Sequence, residues 1–381
     1  MNLDLDLLPR RCDAIVVGAG PAGSAAAQIL ARSGRDVALV DAQAFPRDKV
    51  CGDGLIPDAH RALARLGVLE QVMAEARSAT TLGCIAPRGG RIDVPGRLAV
   101  LPRKRLDEIV CRAAVDAGAR MFAPVRFVAP LRTGDAATGR VVGARLQQGE
   151  RVREVEAQWL VLASGAQPQA TIAAGLCERR TPSGIALRGY VENAAMTARI
   201  TSLEVVWHKR LAPGYGWIFP CGGDLFNIGV GVAQSHAGKD GRHAMYHANL
   251  REVFAAFKSL YKPARELVEG GRWRGDPGQE LKGAPLRCSL AGARLEAPGV
   301  LVTGEAAGST YAFTGEGIGK AMETGLHAAE AILGRSAEDA SDDADRAVRA
   351  DYAARVLALK PRFEVYEQAN RANEHPWLVD L

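Results

Sequence analysis

The chain has 381 residues, of which 48% are hydrophobic and 24% charged, and its formal net charge is +5 at pH 7. This is the composition of a soluble globular protein with two or three domains, and the scattered arginines give no argument for nucleic acid as a partner. No apolar stretch reaches the length of a membrane span, which leaves only peripheral membrane contact open, and seven dispersed cysteines predict a cytoplasmic protein without disulfide bonds.

The first predicted unit is a strand, a glycine turn, a helix and a second strand. An apolar run over residues 14–17 predicts a buried parallel strand, and the alanine-rich residues 24–32 predict the helix. Between them lies Gly18-Ala-Gly-Pro-Ala-Gly23, which has the G-x-G-x-x-G spacing. A second apolar run over residues 37–40 ends in Asp41. This order of elements predicts a dinucleotide-binding site.

Each residue of this unit has a physical task. Gly18 permits the tight turn, Gly20 lets the backbone approach a pyrophosphate, and Gly23 lets the helix pack closely on the strand. The first amides of the helix and its dipole attract phosphate charge. The carboxylate of Asp41 is suited to accept hydrogen bonds from ribose hydroxyls. The rest of the chain decides which dinucleotide is bound.

The later segments alternate between helical and strand patterns. In chain order they predict a structured loop (44–57), a helix capped by Asp58 (58–66), strands (80–92), a strand and helix (98–103, 106–117), a meander (121–132, 141–147), a buried strand (159–163), an antiparallel sheet (186–192, 202–208, 214–231), a helix (245–261), a strand (299–303), a helix (317–333) and a charged helical segment (336–371). Parallel α/β elements thus occur at the start, in the middle and near the end. A nicotinamide dehydrogenase completes its dinucleotide domain without such a return, so the pattern argues against that class.

Five separated motifs carry a resemblance to known flavoproteins. They are Gly18-Ala-Gly-Pro-Ala-Gly23 with Asp41, Lys49-Val-Cys-Gly-Asp-Gly54, Arg103-Lys-Arg-Leu-Asp107, Tyr215-Gly-Trp-Ile-Phe-Pro220 followed by Gly229-Val-Gly231, and Gly304-Glu-Ala-Ala-Gly308 with Phe313-Thr-Gly-Glu-Gly-Ile318. With these motifs the chain resembles the para-hydroxybenzoate hydroxylase-like FAD superfamily and, within it, the geranylgeranyl reductase family. The fourth motif, similar to the reductases' Tyr-x-Trp-x-Phe-Pro and Gly-x-Gly signature, is the most specific to that family.

The resemblance implies an α/β fold: a Rossmann-like FAD-binding domain of the GR2 type, an inserted antiparallel-sheet substrate domain and a short C-terminal helical segment. The expected boundaries are 1–80, 100–180 and 290–335 for the discontinuous FAD-binding domain, 81–99 and 181–289 for the substrate-binding domain, and 336–381 for the C-terminal segment.

The resemblance also implies FAD as the cofactor. The residues that it assigns to FAD are Gly18, Gly20, Pro21, Ala22, Gly23, Asp41, Ala42, Arg47, Cys51, Gly52, Arg103, Val125, Ser164, Gly165, Gly304, Glu305, Gly315, Gly317 and Ile318. Ser164 and Glu305 both stand where the superfamily usually has Asp. Glu305 keeps a carboxylate. NADPH or NADH remains a candidate reductant, but Ser164 predicts slow direct reduction, and the alternative is a separate electron donor such as a flavin reductase or a ferredoxin-like protein.

Two sets of side chains are candidates for the chemistry. Cys51 and Asp53, in the Cys-Gly-Asp-Gly loop, are the candidate catalytic residues, because a thiol or carboxyl beside a flavin can donate a proton or position a substrate. The alternative for each is a structural part in a tight loop. The candidate substrate-binding residues are Tyr215, Trp217, Phe219 and Cys221. Tyr215 and Trp217 alternate along a strand and therefore share one face.

Other distinctive residues are expected to be structural. Trp159, Trp207 and Trp273 are predicted in the core. The helical stripe Leu250, Val253, Phe254 and Phe257 is also predicted in the core, with the lining of a prenyl or acyl pocket as its alternative. No metal site is predicted, since His243 and His247 have helical i, i+4 spacing but no evident third ligand.

Two enzymatic functions and one non-enzymatic function follow from the resemblance. The first is an FAD-dependent oxidoreductase that reduces carbon–carbon double bonds of an apolar, isoprenoid-like substrate with hydride from reduced FAD. The second is an FAD-dependent monooxygenase that hydroxylates an aromatic substrate, or a halogenase-like enzyme, since the same fold hosts these chemistries. The third is a flavoprotein that only relays electrons to a partner. No cluster-binding cysteine pattern supports this interpretation. The sequence favours the first.

Overall fold

The computed structural model describes residues 1–135, 139–233, 248–336, 338–339 and 341–373. Within these residues the helices are α1 (Pro21–Arg32), α2 (Pro57–Arg65), α3 (Leu69–Glu75), α4 (Arg103–Asp116), α5 (Gln169–Ala173), α6 (Leu250–Leu260), α7 (Lys262–Glu269), α8 (Ile318–Leu333), α9 (Asp342–Leu357) and α10 (Lys360–Asn373). The strands are β1 (Arg11–Val17), β2 (Val37–Val40), β3 (Gly54–Leu55), β4 (Arg77–Ile85), β5 (Arg91–Val100), β6 (Arg120–Phe122), β7 (Arg126–Arg132), β8 (Val141–Gln148), β9 (Arg151–Leu162), β10 (Gly184–Glu192), β11 (Leu203–Trp207), β12 (Gly214–Gly222), β13 (Leu225–Ala233), β14 (Arg272–Arg274), β15 (Lys282–Leu286), β16 (Glu296–Ala297) and β17 (Val300–Val302).

One sheet, here the parallel sheet, is assembled from distant parts of the chain. Its strand order is β16-β17-β9-β1-β2-β6, and β7 and β8 extend it from β9 as an antiparallel meander. Strand β1 pairs in parallel with both β2 and β9, and β17 pairs in parallel with β9. The predicted return of the chain to its first α/β unit is therefore confirmed. Its apolar strands are buried on both faces, as expected for a parallel sheet covered by other elements.

Helices α1 and α8 cover one side of this sheet and touch each other almost backbone to backbone. A Cβ atom on Gly325 of α8 would lie 2.1 Å from the carbonyl oxygen of Ala22 in α1. Ala26 and Ala27 of α1 are fully buried in the same apolar cluster as Ala328 of α8. Small residues thus let the first turn of α1 pack closely on the middle of α8.

The second sheet, here the antiparallel sheet, has the order β14-β10-β13-β12-β11-β4-β5-β3, with β15 also paired to β10. Its only parallel pair in the described part of the chain joins β11 to β4. One face carries the apolar cluster around Ile218 and Ile228, against which α6 and α7 pack. A Cβ atom on Gly216 would lie 2.5 Å from the ring of Phe257 in α6. The neighbouring residues of β12, including Trp217, point to the opposite face.

The structure corrects one detail of the expected elements, leaves one partly outside the described residues, and decides one alternative. Helix α2 begins at Pro57, and Asp58 lies in its first turn bonded to Lys320 instead of capping it. Helix α6 is described from Leu250, so the predicted start at 245–247 lies outside the described residues. The stripe that includes Phe257 is core on the far face of the sheet, which removes its alternative as a pocket lining. Among the described residues, no helix is long and apolar enough to cross a membrane.

Candidate functional site

The glycine turn after β1 contains two kinds of glycine. A Cβ atom on Gly18 would lie 2.3 Å from the carbonyl oxygen of Ala163, and one on Gly23 would lie 1.8 Å from that of Gly18. A Cβ atom on Gly20 would approach only Nη2 of Arg47 among the described residues, at 3.6 Å. Gly18 and Gly23 therefore serve packing within the protein, whereas the backbone at Gly20 is open to a ligand.

Two uncapped helix starts lie on either side of the loop after β17. Gly20 precedes α1 and Gly317 precedes α8, and neither helix has a side-chain cap on its first amides. A Cβ atom on Gly304 would lie 2.6 Å from Cβ of Ala22, so the loop after β17 touches the first turn of α1. Uncapped helix starts leave N–H groups free and carry a partial positive charge. The arrangement can therefore hold anionic groups from two sides.

A buried cluster of two arginines and two aspartates closes one side of the turn. Asp41 accepts hydrogen bonds from the Ala19 amide (2.9 Å) and from Arg47, whose Nη1 lies 3.0 Å from Asp107. Arg103 forms two bonds to Asp107, of 2.6 and 2.9 Å. Burial lowers the pKa of the Arg103 guanidinium, but Asp107 and the Cys51 thiol raise it more, so its net shift is upward. Three of the predicted cofactor residues are thus linked through Asp107, which the sequence named only as the last residue of the Arg103-Lys-Arg-Leu-Asp107 motif.

The other residues predicted around the first fingerprint lie close by. Val125 donates its amide to the carbonyl of Asp41 at 2.7 Å, and Ala42 is exposed. Gly165 has a φ of 73°, in the left-handed region. The hydroxyl of Ser164 is buried, and no described residue hydrogen-bonds to it.

The second fingerprint follows β17. Glu305 is half-buried, and its carboxylate lies 3.4 Å from both the Arg287 amide and the Thr310 hydroxyl. A Cβ atom on Gly317 would lie 2.4 Å from that hydroxyl, so the turn before α8 requires glycine. Ile318 then opens α8 and is buried.

These residues fit FAD. Its pyrophosphate needs an approachable backbone and free amides, which Gly20 and the start of α1 provide. The orphaned Ser164 hydroxyl offers a further hydrogen bond within the same region. The start of α8 has no side-chain cap, so its first amides are available to the electronegative edge of a flavin.

The Cys-Gly-Asp-Gly loop is held by Asp53. This side chain is fully buried with a φ of 65° and accepts bonds from the Arg103 amide (3.1 Å), the Tyr190 hydroxyl and the Asn227 amide (2.7 Å). Burial raises the pKa of the Asp53 carboxyl to about 6, although Arg188 and these donors lower it. A carboxyl whose oxygens are already engaged favours the structural alternative for Asp53, and its catalytic role stays a prediction.

Arg188 fastens the same loop from β10. Its guanidinium, 2% exposed, donates to the carbonyl of Lys49 (3.1 Å), to that of Cys51 (3.3 Å) and to Asp48 (2.9 Å). It also stacks 4.2 Å from the centre of the Tyr190 ring. Arg188 was not predicted as part of the site, because its only signal in the sequence is a charge between Leu187 and Gly189 of the strand.

The predicted Tyr-x-Trp-x-Phe strand supplies a row of aromatic rings. Tyr215 lies 6.1 Å from Trp217, and Trp217 lies 6.4 Å from Phe219, measured between ring centroids. The row continues through Trp207, which is 5.8 Å from Tyr215 and stacks on Phe313 at 5.5 Å. Trp207 is half-buried at the end of the row and its indole nitrogen is buried, so the expected core position is met in part, whereas its contacts with Tyr215 and Phe313 were not predicted.

Glycines of both neighbouring segments make room for Trp217. A Cβ atom on Gly229 would lie 2.4 Å from the Trp217 ring, and one on Gly52 would lie 3.6 Å from its Nε1 and 3.2 Å from the Phe219 ring. Gly315 similarly allows the Tyr215 hydroxyl to approach, since a Cβ there would lie 2.9 Å from it. The Gly-x-Gly signature and the Cys-Gly-Asp-Gly loop thus enclose one indole.

The cysteines and histidines are dispersed. Cys51 is half-buried beside Arg103, whereas Cys221 packs in a small apolar cluster with Phe219, and burial raises its thiol pKa well above the usual value. All seven cysteines are free thiols. Within the described ranges no group of three metal-ligating side chains occurs, and His243 and His247 lie outside those ranges.

Glu316 is a titratable group that sequence analysis left out. It stands between Gly315 and Gly317, lines a cavity with Gly54 and Tyr311, and accepts from the Thr314 hydroxyl at 3.3 Å. Burial raises the pKa of this carboxyl to about 7. Its neighbours Gly315 and Gly317 were predicted from the motif, and the buried position of the acid was not evident without the fold.

Comparisons with known proteins find an FAD-binding family and several reductases. A family described as FAD binding domain matches residues 11–246. The menaquinone reductase of Mycolicibacterium smegmatis is 35% identical over 93% of this chain and 86% of that protein. Digeranylgeranylglycerophospholipid reductase 1 of Methanopyrus kandleri is 30% identical over 86% and 82%. A geranylgeranyl bacteriochlorophyll reductase-like protein of Thermoplasma acidophilum superposes with a TM-score of 0.73 at 19% identity, covering 96% of this chain and 92% of that one.

Proposed function

The chain belongs to the geranylgeranyl reductase family of FAD-dependent oxidoreductases, and from this membership we propose that it saturates a carbon–carbon double bond in the isoprenoid chain of a lipid. Menaquinone and digeranylgeranylglycerophospholipids both carry isoprenoid chains, and they are named in the reductases at 35% and 30% identity. A prenylated quinone is therefore the first substrate to test.

The observation that carries the proposal is the aromatic row beneath the Cys-Gly-Asp-Gly loop. Tyr215, Trp217 and Phe219 present apolar faces along one strand, and Gly52 of the loop packs over the last two rings. An isoprenoid chain is a flexible string of methyl-substituted double bonds without charge. Aromatic faces with few polar groups suit such a chain and exclude water from it.

The residues of the chain have separate tasks in this proposal. FAD, when bound and reduced, supplies the hydride. Gly20 and the starts of α1 and α8 hold the cofactor, and Trp217 orients the chain of the substrate. The Cys51 thiol, held beside Arg103, is the candidate group that donates a proton to the substrate or holds its double bond against the flavin.

The decisive experiment separates saturation of the side chain, reduction of the quinone ring and oxygenation of the substrate. The protein is loaded with FAD, reduced with dithionite without oxygen, incubated with menaquinone, exposed to air and analysed by mass spectrometry. Saturation of the side chain leaves a permanent gain of two hydrogens, whereas reduction of the quinone ring is reversed by air. A product that gains oxygen when the incubation itself is aerobic would support the monooxygenase alternative. Dithionite makes the result independent of whether NADPH, NADH or a protein donor reduces FAD in the cell.

A matched control uses the same protein with Trp217→Ala. This change opens the aromatic row but leaves the glycine turn of the FAD site intact, so FAD content should stay near that of the wild type. Loss or redistribution of the saturated product with FAD retained supports a substrate wall at Trp217. The proposal fails if the wild-type protein, fully loaded with FAD, returns every prenylated substrate unchanged.

A further inference from the structure

Asn227 joins two motifs that are far apart in the sequence. It lies on β13 and is fully buried, 0% exposed. Its Oδ1 accepts the indole N–H of Trp217 at 2.9 Å, and its Nδ2 donates to the carbonyl of Cys51 at 2.8 Å and to Asp53 at 2.7 Å. The oxygen of this amide therefore bonds the aromatic row, and its nitrogen bonds the Cys-Gly-Asp-Gly loop.

The register of the antiparallel sheet explains why this position carries an amide. Asn227 pairs with Tyr190 of β10 on one side and with Phe219 of β12 on the other. Its side chain therefore lies between the Tyr190 hydroxyl, which also bonds Asp53, and the Phe219 ring, which packs on the loop. An apolar residue of the same size would leave the indole N–H, the Cys51 carbonyl and one Asp53 oxygen without this partner. Unpaired buried polar groups are costly, so the loop would move to satisfy them.

We propose that Asn227 is a positioning residue for the reduction: it fixes the Cys51 backbone against the Trp217 indole, so that the loop and the substrate wall form one rigid surface. This inference rests on the proposed function, because it assigns substrate contact to Trp217. It also makes a purely structural claim, that one amide sets the distance between loop and wall. Misplacement of reacting groups by about 1 Å can cost roughly 10²-fold in rate.

The residue after β10 offers a matched control. Asn193 is also buried, at 6% exposure; its amide donates to the carbonyls of Glu266 (3.3 Å) and Leu267 (3.1 Å) in α7, and its Oδ1 accepts from the Ala195 amide (3.2 Å). Asn193→Leu therefore removes a comparable set of hydrogen bonds at a place where these bonds involve neither the loop nor the aromatic row. A loss of stability alone would appear in both variants.

A charged variant provides a second measurement, the pH dependence of activity, which a mere loss of packing would not change. In Asn227→Asp the new carboxylate would stand beside Asp53, whose pKa burial already raises to about 6. At low pH the two adjacent carboxyl groups share one proton, which restores the hydrogen bond between residue 227 and Asp53. Once both are ionised, they repel each other. The charged and titratable groups facing this pair are Arg188 and Tyr190 from β10, Cys221 from β12 and Arg103 from α4. The variant should therefore lose activity as pH rises, more steeply than the wild type.

The test uses the FAD-loaded proteins, with menaquinone as the substrate probe and hydrogen–deuterium exchange of residues 48–54 as the second measurement. We expect Asn227→Leu to retain FAD, to lower kcat by about 10²-fold and to exchange faster over the loop. We expect Asn193→Leu to resemble the wild type in kcat, KM and loop exchange. Asn227→Asp should recover part of its kcat at acidic pH.

The outcomes separate this inference from the proposed function. If the wild type reduces no prenylated substrate, the proposed function fails, and loop exchange still decides the inference. Unchanged exchange over residues 48–54 in Asn227→Leu overturns it in every case. It is also overturned if Asn227→Leu matches Asn193→Leu in kcat, or if the pH profile of Asn227→Asp has the shape of the wild-type profile.

Discussion

Gly20 and Gly23 differ by what surrounds them, and this predicts opposite failures. In Gly20→Val the new side chain enters the open space beside Arg47, where a pyrophosphate would lie, so we expect a folded protein with little FAD. In Gly23→Val the side chain would meet the Gly18 carbonyl at 1.8 Å, so we expect a loss of about 3 kcal/mol or more in unfolding free energy. Flavin absorbance per protein and thermal denaturation check both. Wild-type flavin content in Gly20→Val would mean that the site lies elsewhere.

Cys51 is the residue that best separates a reductase from a hydroxylase. Its thiol lies beside Arg103 at the loop that covers Trp217 and Phe219. If it donates a proton or positions the double bond, Cys51→Ala should lose roughly 10²-fold of alkene reduction while FAD binding survives. Cys51→Ser, which keeps size and a proton donor, should lose less. A wild-type rate in Cys51→Ala would leave the thiol without a chemical part.

Glu316 makes stability depend on pH in a predictable direction. Burial raises the pKa of its carboxyl from 4.5 to about 7, so the folded chain holds a proton that the unfolded chain releases. The stabilising contribution is complete below about pH 4.5 and is lost as pH rises through 7. We therefore expect Glu316→Gln to flatten the decline in unfolding free energy over this window, measured by urea titration of the flavin-free protein. An unchanged slope would show that other groups cause the decline.

At the scale of elements, one buried arginine of β10 makes three hydrogen bonds to the loop after β2. Arg188 and Lys282 both bond Asp48, but Arg188 is 2% exposed and also holds two loop carbonyls, whereas the Lys282 side chain is 52% exposed. Arg188→Met should lower the unfolding free energy by about 2 kcal/mol and weaken FAD retention. Lys282→Met should cost less than about 1 kcal/mol. Equal effects of Arg188→Met and Lys282→Met, in urea denaturation and in flavin titration, would contradict the assignment of the main tie to Arg188.

The sequence predicted the local units of the fold better than the contacts between them. The strand, glycine turn and helix around Gly18 were predictable because their pattern is contained in consecutive residues. Arg188 and Asn227 were not predictable as parts of the site, because their roles come from sheet register. Asn227 contacts Cys51 from 176 positions away, and only the pairing of β10, β13 and β12 aligns it there. The stacking of Trp207 on Phe313 was not predictable for the same reason, since nothing near Trp207 in the sequence indicates this contact.

At the scale of the whole molecule, the FAD site depends on the last third of the chain. The FAD binding domain match ends at residue 246, yet β17 pairs with β9, and α8 packs on α1. We expect a fragment of residues 1–246 to carry no flavin, because it lacks the helix start at Gly317 and one neighbour of β9. Absorbance of the purified fragment and of the full chain, expressed side by side, checks this. A folded, yellow fragment would contradict the expectation.

The same sheet order has a consequence for synthesis. On the ribosome, β1, α1 and β9 emerge long before Val300–Val302, so the edge of β9 that will pair with β17 stays unoccupied while the antiparallel sheet is translated. An open edge of apolar strands is a template for strands of other chains, and pairing across such a distance is slow. The nascent protein therefore carries this open edge from the synthesis of β9 (Arg151–Leu162) until that of β17 (Val300–Val302), and the arrival of β17 and then α8 covers the edge and completes the cofactor site.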